Sequence, residues 1–595
     1  MCRIAGIISE NLSEQERAAR LQLMCNALHK GGPDGAGYQT FPSLGMSFGH
    51  RRLSLIDLSE NGKQPMPYQD HLWITFNGEI YNYRELKADL IGKGYIFANQ
   101  TDTEVILAGY QAYGTSFFKS LKGMFAFALL DQNKQQTFLV RDELGIKPLY
   151  YYSKNQELYF ASEVKAFTAF NKDWEMNEDW PIYFLSFGFI PTPFTTLKDV
   201  FSLAKGTILT WDHQTQSHSI TQFAADYPNT IETSNALITT KKLLDTAVKR
   251  HLIADAPIGV FLSGGIDSSL LSIIANEQHQ QSINTVSINF NEPEFSEQAY
   301  QDIVSKQINS KHLSYTVTAE DFEQNIQQIF EDMDQPSNDG INSWFVNKVA
   351  KDNGLKAVLS GIGADEIFGG YPSFKRHQLI KNIKKTPRFI LRLAKYLPSD
   401  KLKRISFLAY SNPIGEYLFL RGFFTPNTVS KLLGVPENKV VRLLSSYPSP
   451  KEVAQLSAED RISWFEMNVY MQNQLLKDTD YMSMAHGVEV RVPFLDQDVV
   501  AGALALPTQK RFSAQPKSLL INAYKDLLPE AIWNRPKKGF TFPFQNWFKS
   551  YQPMLKAAHY QNNSEALSLL NKFKNNQLHW SKLFAVYQVF YRVKP

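Results

Sequence analysis

The sequence predicts two successive domains. The first is a strand-rich α+β domain, and the second is an α/β domain with a parallel sheet and a helical C-terminal part. Three observations predict this. Residues 4–8, 72–76, 124–131 and 136–140 are short apolar runs that read as strands, the last two as a buried pair. Beyond residue 255, apolar runs at 256–262, 283–290, 312–317 and 356–359 alternate with helical patterns, as in a parallel sheet with ligands at its strands' C-terminal ends. The run 256–262 also leads through Ser263-Gly264-Gly265-Ile266-Asp267-Ser268-Ser269 straight into an apolar helix start at 270–275.

Composition bounds the function. The chain has 595 residues, 43% hydrophobic and 20% charged, which describes a folded chain with ample core. A net charge of +4 argues against a dedicated nucleic-acid binder. The two cysteines, Cys2 and Cys25, exclude a disulfide scaffold and a Cys-rich zinc site, and they fit a cytoplasmic protein. No apolar run approaches the roughly 18 residues of a membrane span, and the N-terminus lacks the apolar region of a signal peptide.

In chain order, Cys2 comes first. Once Met1 is removed, Cys2 carries a thiol and a free α-amine together. That amine, with an ordinary pKa of about 8, can serve as base for the thiol. Gly49-His-Arg-Arg52 is a basic strand edge. Asn77-Gly78-Glu79 follows a strand and reads as a corner that offers a side-chain amide and a backbone N–H together, an oxyanion-hole pattern. The same dipeptide is also a common hairpin turn. Tyr83, Leu86 and Leu90 stand at helical spacing up to Gly92 and Gly94. Thr101-Asp102-Thr103-Glu104 reads as a helix N-cap, with an acid placed for an ammonium group.

Residues 210–234 are polar and read as a linker. The Gly-Gly turn that follows is an anion site: glycines admit a phosphate, and a helix N-terminus faces it. Ser263, Ser268 and Ser269 add hydroxyl donors. Asp267 would repel a bare phosphate, so it points to a bridging Mg²⁺. The turn lacks Gly-Lys-Ser/Thr and is no Walker A; it resembles the pyrophosphate loop of ATP pyrophosphatases. Ile288 and Phe290 end the next strand, where they line an adenine pocket or simply fill the core. Ser360-Gly361-Ile362-Gly363-Ala364-Asp365-Glu366 follows its strand in the same manner as the first loop. Residues 376–404 are basic and interleaved with apolar residues. This reads as a solvated helical excursion, with contact to an anionic surface as the alternative. Glu489 and Arg491 read as a partly buried pair that could face an acceptor site, and His486 reads as structural.

Taken together, Cys2, Arg52, Asn77-Gly78-Glu79, Asp102, Asp142-Glu-Leu-Gly-Ile-Lys-Pro-Leu-Tyr150 and Ala161-Ser-Glu163 resemble the class II glutamine amidotransferase domain, an N-terminal-nucleophile αββα glutaminase sandwich. Followed by the pyrophosphate loop, this order resembles the glutamine-hydrolysing asparagine synthetases over nearly the whole chain. The resemblance implies a glutaminase domain at 1–210, a linker at 211–234 and an ATP-pyrophosphatase domain at 235–595. It implies Cys2 as nucleophile, Asn77 and Gly78 as oxyanion hole, and Arg52, Leu53, Glu79 and Asp102 as glutamine ligands. ATP would lie on Leu262, Ser263, Gly264, Gly265, Asp267, Ser268, Ser269, Ile288, Ser360 and Gly361, with Mg²⁺ on Asp267 and Asp365. Lys537 would neutralise the adenylate phosphate and Glu489 would assist the amidation.

The substrates implied are glutamine, ATP and aspartate, or another carboxylate such as a cell-wall diamino acid or a sugar uronic acid. A homodimer stands as the candidate assembly, and a non-catalytic scaffold with this fold as the rival outside enzymes. Two departures stand out. Gly31 precedes Gly32-Pro33-Asp34 where the family usually has arginine, and Ile362 stands where housekeeping asparagine synthetases usually have glutamate.

Overall fold

The computed structural model describes residues 2–170, 174–223, 235–279, 282–512 and 515–592. Twelve strands build the N-terminal part: β1 (Arg3–Ile8), β2 (Gly35–Phe41), β3 (Met46–Arg52), β4 (Met66–Tyr68), β5 (Leu72–Ile80), β6 (Gly123–Asp131), β7 (Gln136–Arg141), β8 (Tyr150–Lys154), β9 (Glu157–Ala161), β10 (Val200–Ser202), β11 (Thr207–Asp212) and β12 (Ser217–Gln222). They form two six-stranded antiparallel sheets, ordered β10-β8-β9-β1-β3-β2 and β12-β11-β7-β6-β5-β4.

The sheets stack face to face because each presents an apolar face. Ile4, Ile8 and Phe48 of the first meet Ala126, Ala128, Leu130 and Leu139 of the second. Helix Glu14–Ala27 covers the outside of one sheet through Leu21, Met24 and Cys25. Helix Asp102–Tyr113 covers the other through Val105 and Ile106, and Thr101 caps its start by accepting from the Glu104 amide. The product is the expected αββα sandwich. Two boundaries differ from expectation. Asn77-Gly78-Glu79 is no corner: β5 runs through it, paired with β6 as far as Ile80. Part of the stretch expected as linker is hairpin, because β12 pairs along its whole length with β11. The rest of that stretch, 224–234, lies outside the described residues.

The second sheet system is parallel: β13 (Ile258–Phe261), β14 (Asn284–Phe290), β15 (Lys311–Val317), β16 (Ala357–Leu359) and β17 (Glu489–Arg491), ordered β15-β14-β13-β16-β17. From β13 the chain winds outward to β14 and β15, then returns to β16 on the other side. The strand order therefore reverses between β13 and β16, and a crevice opens at their C-terminal ends, where open α/β sheets bind ligands. Helices make up most of the chain beyond β16 and pack the sheet into one large core.

The two parts meet through buried charge. The Arg3 guanidinium donates to Glu163 and to Asp480, each at 2.7 Å, with all three side chains buried. Gly31 belongs to this junction. A Cβ on Gly31 would stand 2.8 Å from Arg3 Cγ, so the Arg3 side chain fills the space a residue 31 side chain would need. Gly31→Arg is therefore expected to destabilise the fold by ~2–4 kcal/mol through overpacking and a displaced ion pair. Arg3→Gly in the same chain should recover part of that loss, read as the denaturant midpoint. Simple addition of the two losses would refute the shared space.

Candidate active sites

The first site gathers at one end of the sandwich. Cys2 precedes β1, Arg52 and Leu53 end β3, and Asn77 lies on β5. Arg3 pairs with Arg51 across β1 and β3. Thr75 Oγ1 reaches the Gly49 carbonyl at 3.2 Å, and His50 Nε2 lies 3.3 Å from the Phe76 carbonyl, which ties β3 to β5. Cys2 is half-buried, its Sγ 3.9 Å from the Leu53 carbonyl. Burial pushes its thiol above the ordinary range, and Arg52 draws it part of the way back. Asn77 is wholly buried, and both polar atoms of its side chain lack a hydrogen-bond partner. An unsatisfied buried amide costs stability, and this one leaves both a donor and an acceptor free for a ligand.

Arg52 donates to the Ser59 carbonyl at 2.7 Å and to the Asp57 carbonyl at 2.5 Å, so its loop holds it in place. Asp102 accepts from the Ile80 amide at 2.9 Å, and burial pushes it up to about 6. Glu79 differs from the other predicted glutamine ligands. Its carboxylate turns to Arg491 at 3.4 Å, and burial with the nearby Glu489 charge pushes it well above the usual carboxylate range.

The second site is a chamber of about 820 Å³ at the crevice between β13 and β16. Leu262, Ser263, Gly265, Asp267, Ser268, Ile288, Ser360 and Gly361 line it, together with Ile362, Asp365 and Lys537. Ser268 Oγ pins the first loop, receiving the Ser263 amide at 3.1 Å and lying 2.9 Å from Ser263 Oγ. Gly264 and Ser269, both predicted ATP ligands, stay outside the chamber wall. Gly264 makes the turn at φ +83° and faces Tyr300, while Ser269 is buried one turn into its helix. Phe290 also misses the chamber and packs on Phe542 at 4.7 Å. Gly361 lets the loops converge, since a Cβ there would stand 2.8 Å from Asp267 Cβ.

That convergence brings Asp267 and Asp365 together around a lysine the sequence did not announce. Lys517 Nζ lies 2.5 Å from Asp267 Oδ2 and also contacts Asp365 Oδ1. Lys537 binds Asp365 Oδ2 at 2.6 Å and caps the Tyr371 ring at 4.9 Å. Burial pushes Asp267 up, whereas the two lysines hold Asp365 below the usual range. Lys517 itself is buried and raised by the two carboxylates. Among the described residues no three His, Cys, Asp or Glu side chains cluster for a metal. Two carboxylates plus phosphate oxygens nonetheless suit Mg²⁺, and Asp267 Oδ1 is buried without a partner, so the residues present fit that ion.

Two further residues change the expected chemistry. Glu489 is fully buried on β17, where it binds the Arg491 Nε at 2.5 Å. Positions 489 and 491 share one face of the strand and turn toward Glu79 and the Tyr81 ring, and neither lines the chamber. The expectation of a partly buried pair at the acceptor site is thus corrected. Glu366, by contrast, does line the chamber, and Tyr371 donates to it at 2.7 Å. Burial and Asp365 push Glu366 up to about 7. His486 packs edge-on to Trp344 at 4.5 Å and is held down to about 4 by burial, as a structural histidine would be.

Sandwich and crevice together define a two-site protein, an N-terminal-nucleophile amidotransferase fold joined to a parallel-sheet nucleotide fold. The glutamine amidotransferase domain family matches residues 1–223 and the asparagine synthase family residues 239–580. Asparagine synthetase [glutamine-hydrolyzing] 1 of Bacillus subtilis is 32% identical over 92% of this chain and 88% of its own. Putative asparagine synthetase [glutamine-hydrolyzing] 2 of Methanocaldococcus jannaschii is 34% identical over 67% of this chain and 81% of its own. Amidase chry2 of Gibberella zeae is 26% identical over 92% of this chain and 90% of its own. The chain belongs to the asparagine synthase family and is a carbon–nitrogen ligase of its glutamine-dependent type. No helix among the described residues is long and apolar enough to cross a membrane.

Proposed function

We propose that the chain converts L-aspartate, L-glutamine and ATP to L-asparagine, L-glutamate, AMP and pyrophosphate. The observation that carries this reading is the Asp267–Lys517–Asp365 cluster between two glycine loops at a topological switch point. At the first site the Cys2 thiol gives its proton to the freed α-amine and attacks the glutamine amide carbon. Asn77 Nδ2 and the Gly78 N–H receive the oxyanion, the C–N bond breaks as the α-ammonium returns its proton to the leaving ammonia, and water then hydrolyses the Cys2 thioester to release glutamate. Arg52 and Leu53 hold the α-carboxylate end of glutamine and Asp102 its ammonium.

At the second site an acceptor carboxylate oxygen attacks the α-phosphorus, and pyrophosphate leaves. Ser263, Gly265 and Ser268 cradle the phosphates, and Lys517 and Lys537 neutralise their charge. Mg²⁺ held by Asp267 and Asp365 would withdraw charge from the pyrophosphate oxygens. Ammonia then attacks the acyl carbon and AMP leaves. Ile362 can accept no proton from that ammonia, and Glu489 lies elsewhere. Among the carboxylates of the chamber wall, we assign that role to Glu366, which the Tyr371 hydroxyl supports.

Ammonia-dependent synthesis, at fixed free ammonia, should rise as pH passes through about 7, where Glu366 ionises. Glu366→Gln should remove that limb and lower the rate by ~10²–10⁴-fold while glutamine hydrolysis persists. An unchanged pH profile would exclude Glu366. The aspartate assignment is tested by supplying ATP, Mg²⁺, ammonia and aspartate and following asparagine. No aspartate-dependent pyrophosphate from a protein that still hydrolyses glutamine would sink it. Two observations favour a second reading, a different carboxylate acceptor. One is Ile362. The other is a cleft of about 780 Å³ that shares Asp339, Asn342, Tyr470, Gly539 and Phe540 with the chamber.

A further inference from the structure

Between the walls of these two cavities the chain makes an excursion. Lys375 lines the nucleotide chamber and Arg404 lines the adjoining cleft. The intervening residues form short helices, His377–Ile383, Arg388–Leu393 and Asp400–Lys403, with a 3₁₀ turn at Ala394–Tyr396. The inner side is anchored, because Ile380 and Leu391 are buried with Leu408, Leu420 and Ile462.

The outer side is apolar as well. Leu379, Phe389, Ile390, Leu393, Tyr396, Leu397 and Leu402 are all exposed, Phe389 at 66% and Tyr396 at 75%. These are seven of the nineteen exposed large apolar residues of the described chain, gathered in one short stretch. Phe389 and Leu393 stand one turn apart on the helix Arg388–Leu393, and Tyr396 and Leu397 follow directly at the end of the 3₁₀ turn, so the four make one apolar stretch along the chain. The surrounding charge is of one sign. From Lys375 to Arg404 there are eleven Lys or Arg against a single acid, Asp400. Ion pairs take Lys384, Lys395 and Lys403. Lys381, Lys385, Arg388, Arg392 and Lys401 stand exposed beside the apolar stretch.

Exposed apolar residues gathered in one place on a folded protein mark an interaction site. Protein interfaces deplete lysine from their cores, whereas a basic amphipathic helix with aromatic and aliphatic residues suits an anionic lipid surface. We infer that residues 379–402 dock this enzyme on an anionic membrane surface. The apolar stretch enters the headgroup boundary and the basic residues meet the headgroups. This docking brings the rims of both cavities, at Lys375 and Arg404, to the membrane, and it does not depend on which carboxylate is amidated.

The test is flotation of the full chain with phosphatidylcholine vesicles, with and without phosphatidylglycerol, at low and high salt. The expected result is binding only to the anionic vesicles and weakening with salt. Lys385→Glu, Arg388→Glu and Arg392→Glu together should weaken it on the order of 10²-fold or more. Phe389→Ser, Leu393→Ser and Tyr396→Ser together should also weaken it, with glutamine hydrolysis intact as the control for folding. Failure to bind anionic vesicles, equal binding to neutral ones, or binding unchanged in both variants would overturn the proposal. Self-association that the serine variant abolishes, in a chain that floats with neither vesicle, would make the patch an interface between copies instead.

Discussion

Cys2→Ala should abolish glutamine hydrolysis, by on the order of 10⁴-fold or more, and leave ammonia-dependent amide synthesis close to wild type. The loss should be this large because the second cysteine cannot take over: Cys25 is buried on the inner face of helix Glu14–Ala27. Burial raises the Cys2 thiol, so few thiolates exist at neutral pH without a base beside it. In the proposed mechanism the freed α-amine is that base. A chain that keeps Met1 should therefore resemble the alanine variant. Paired assays of glutamate from glutamine and of pyrophosphate with ammonia decide the matter. Wild-type hydrolysis by Cys2→Ala would end the assignment.

Asp267→Asn should have the opposite signature, with glutamine hydrolysis kept and amide synthesis down by on the order of 10²-fold or more. The substitution keeps the shape and removes one charge from the cluster of two carboxylates around Lys517. Lys517 is buried, so its ammonium would then rest on Asp365 alone, and a buried cation with half its partners is expensive. The measurement is pyrophosphate release against Mg²⁺ concentration. A rate restored by excess Mg²⁺ would locate the loss in ion binding. Wild-type release at every concentration would remove Asp267 from the chemistry.

Much of this architecture was legible in the residues. Short apolar runs and the Gly-Gly turn between a strand and a helix are local signals, and β1, β6, β7 and β13–β16 fall where those signals stand. Asn77, Arg52 and Asp102 lie at one end of the sandwich because the motif order encodes the fold that gathers them. What the sequence hid is long-range. Lys517 is one lysine in an unremarkable loop, 250 residues from Asp267, and only folding makes it the bridge between two acids. Glu366 stood only as the last residue of the second loop, and it takes burial and the neighbouring Asp365 charge to push it up to about 7. Glu489 was misplaced because periodicity says which residues share a strand face and not which domain that face meets. Gly31 looked like a missing charge until Arg3 was seen in its space.

The contact between Glu79 and Arg491 has a thermodynamic consequence. Glu79 sits two residues beyond Asn77 on the same strand. Arg491 holds the Glu79 carboxylate with its side chain, while its backbone carbonyl accepts the Ser360 amide at 2.8 Å, the first residue of the second nucleotide loop. The strand that carries Asn77 and the second glycine loop are thus joined through a single arginine. Any shift of that arginine when one ligand binds changes the free energy of binding the other. Linkage would make any such exchange symmetric: whatever factor a filled chamber imposed on binding at the first site, a filled first site would impose on the chamber.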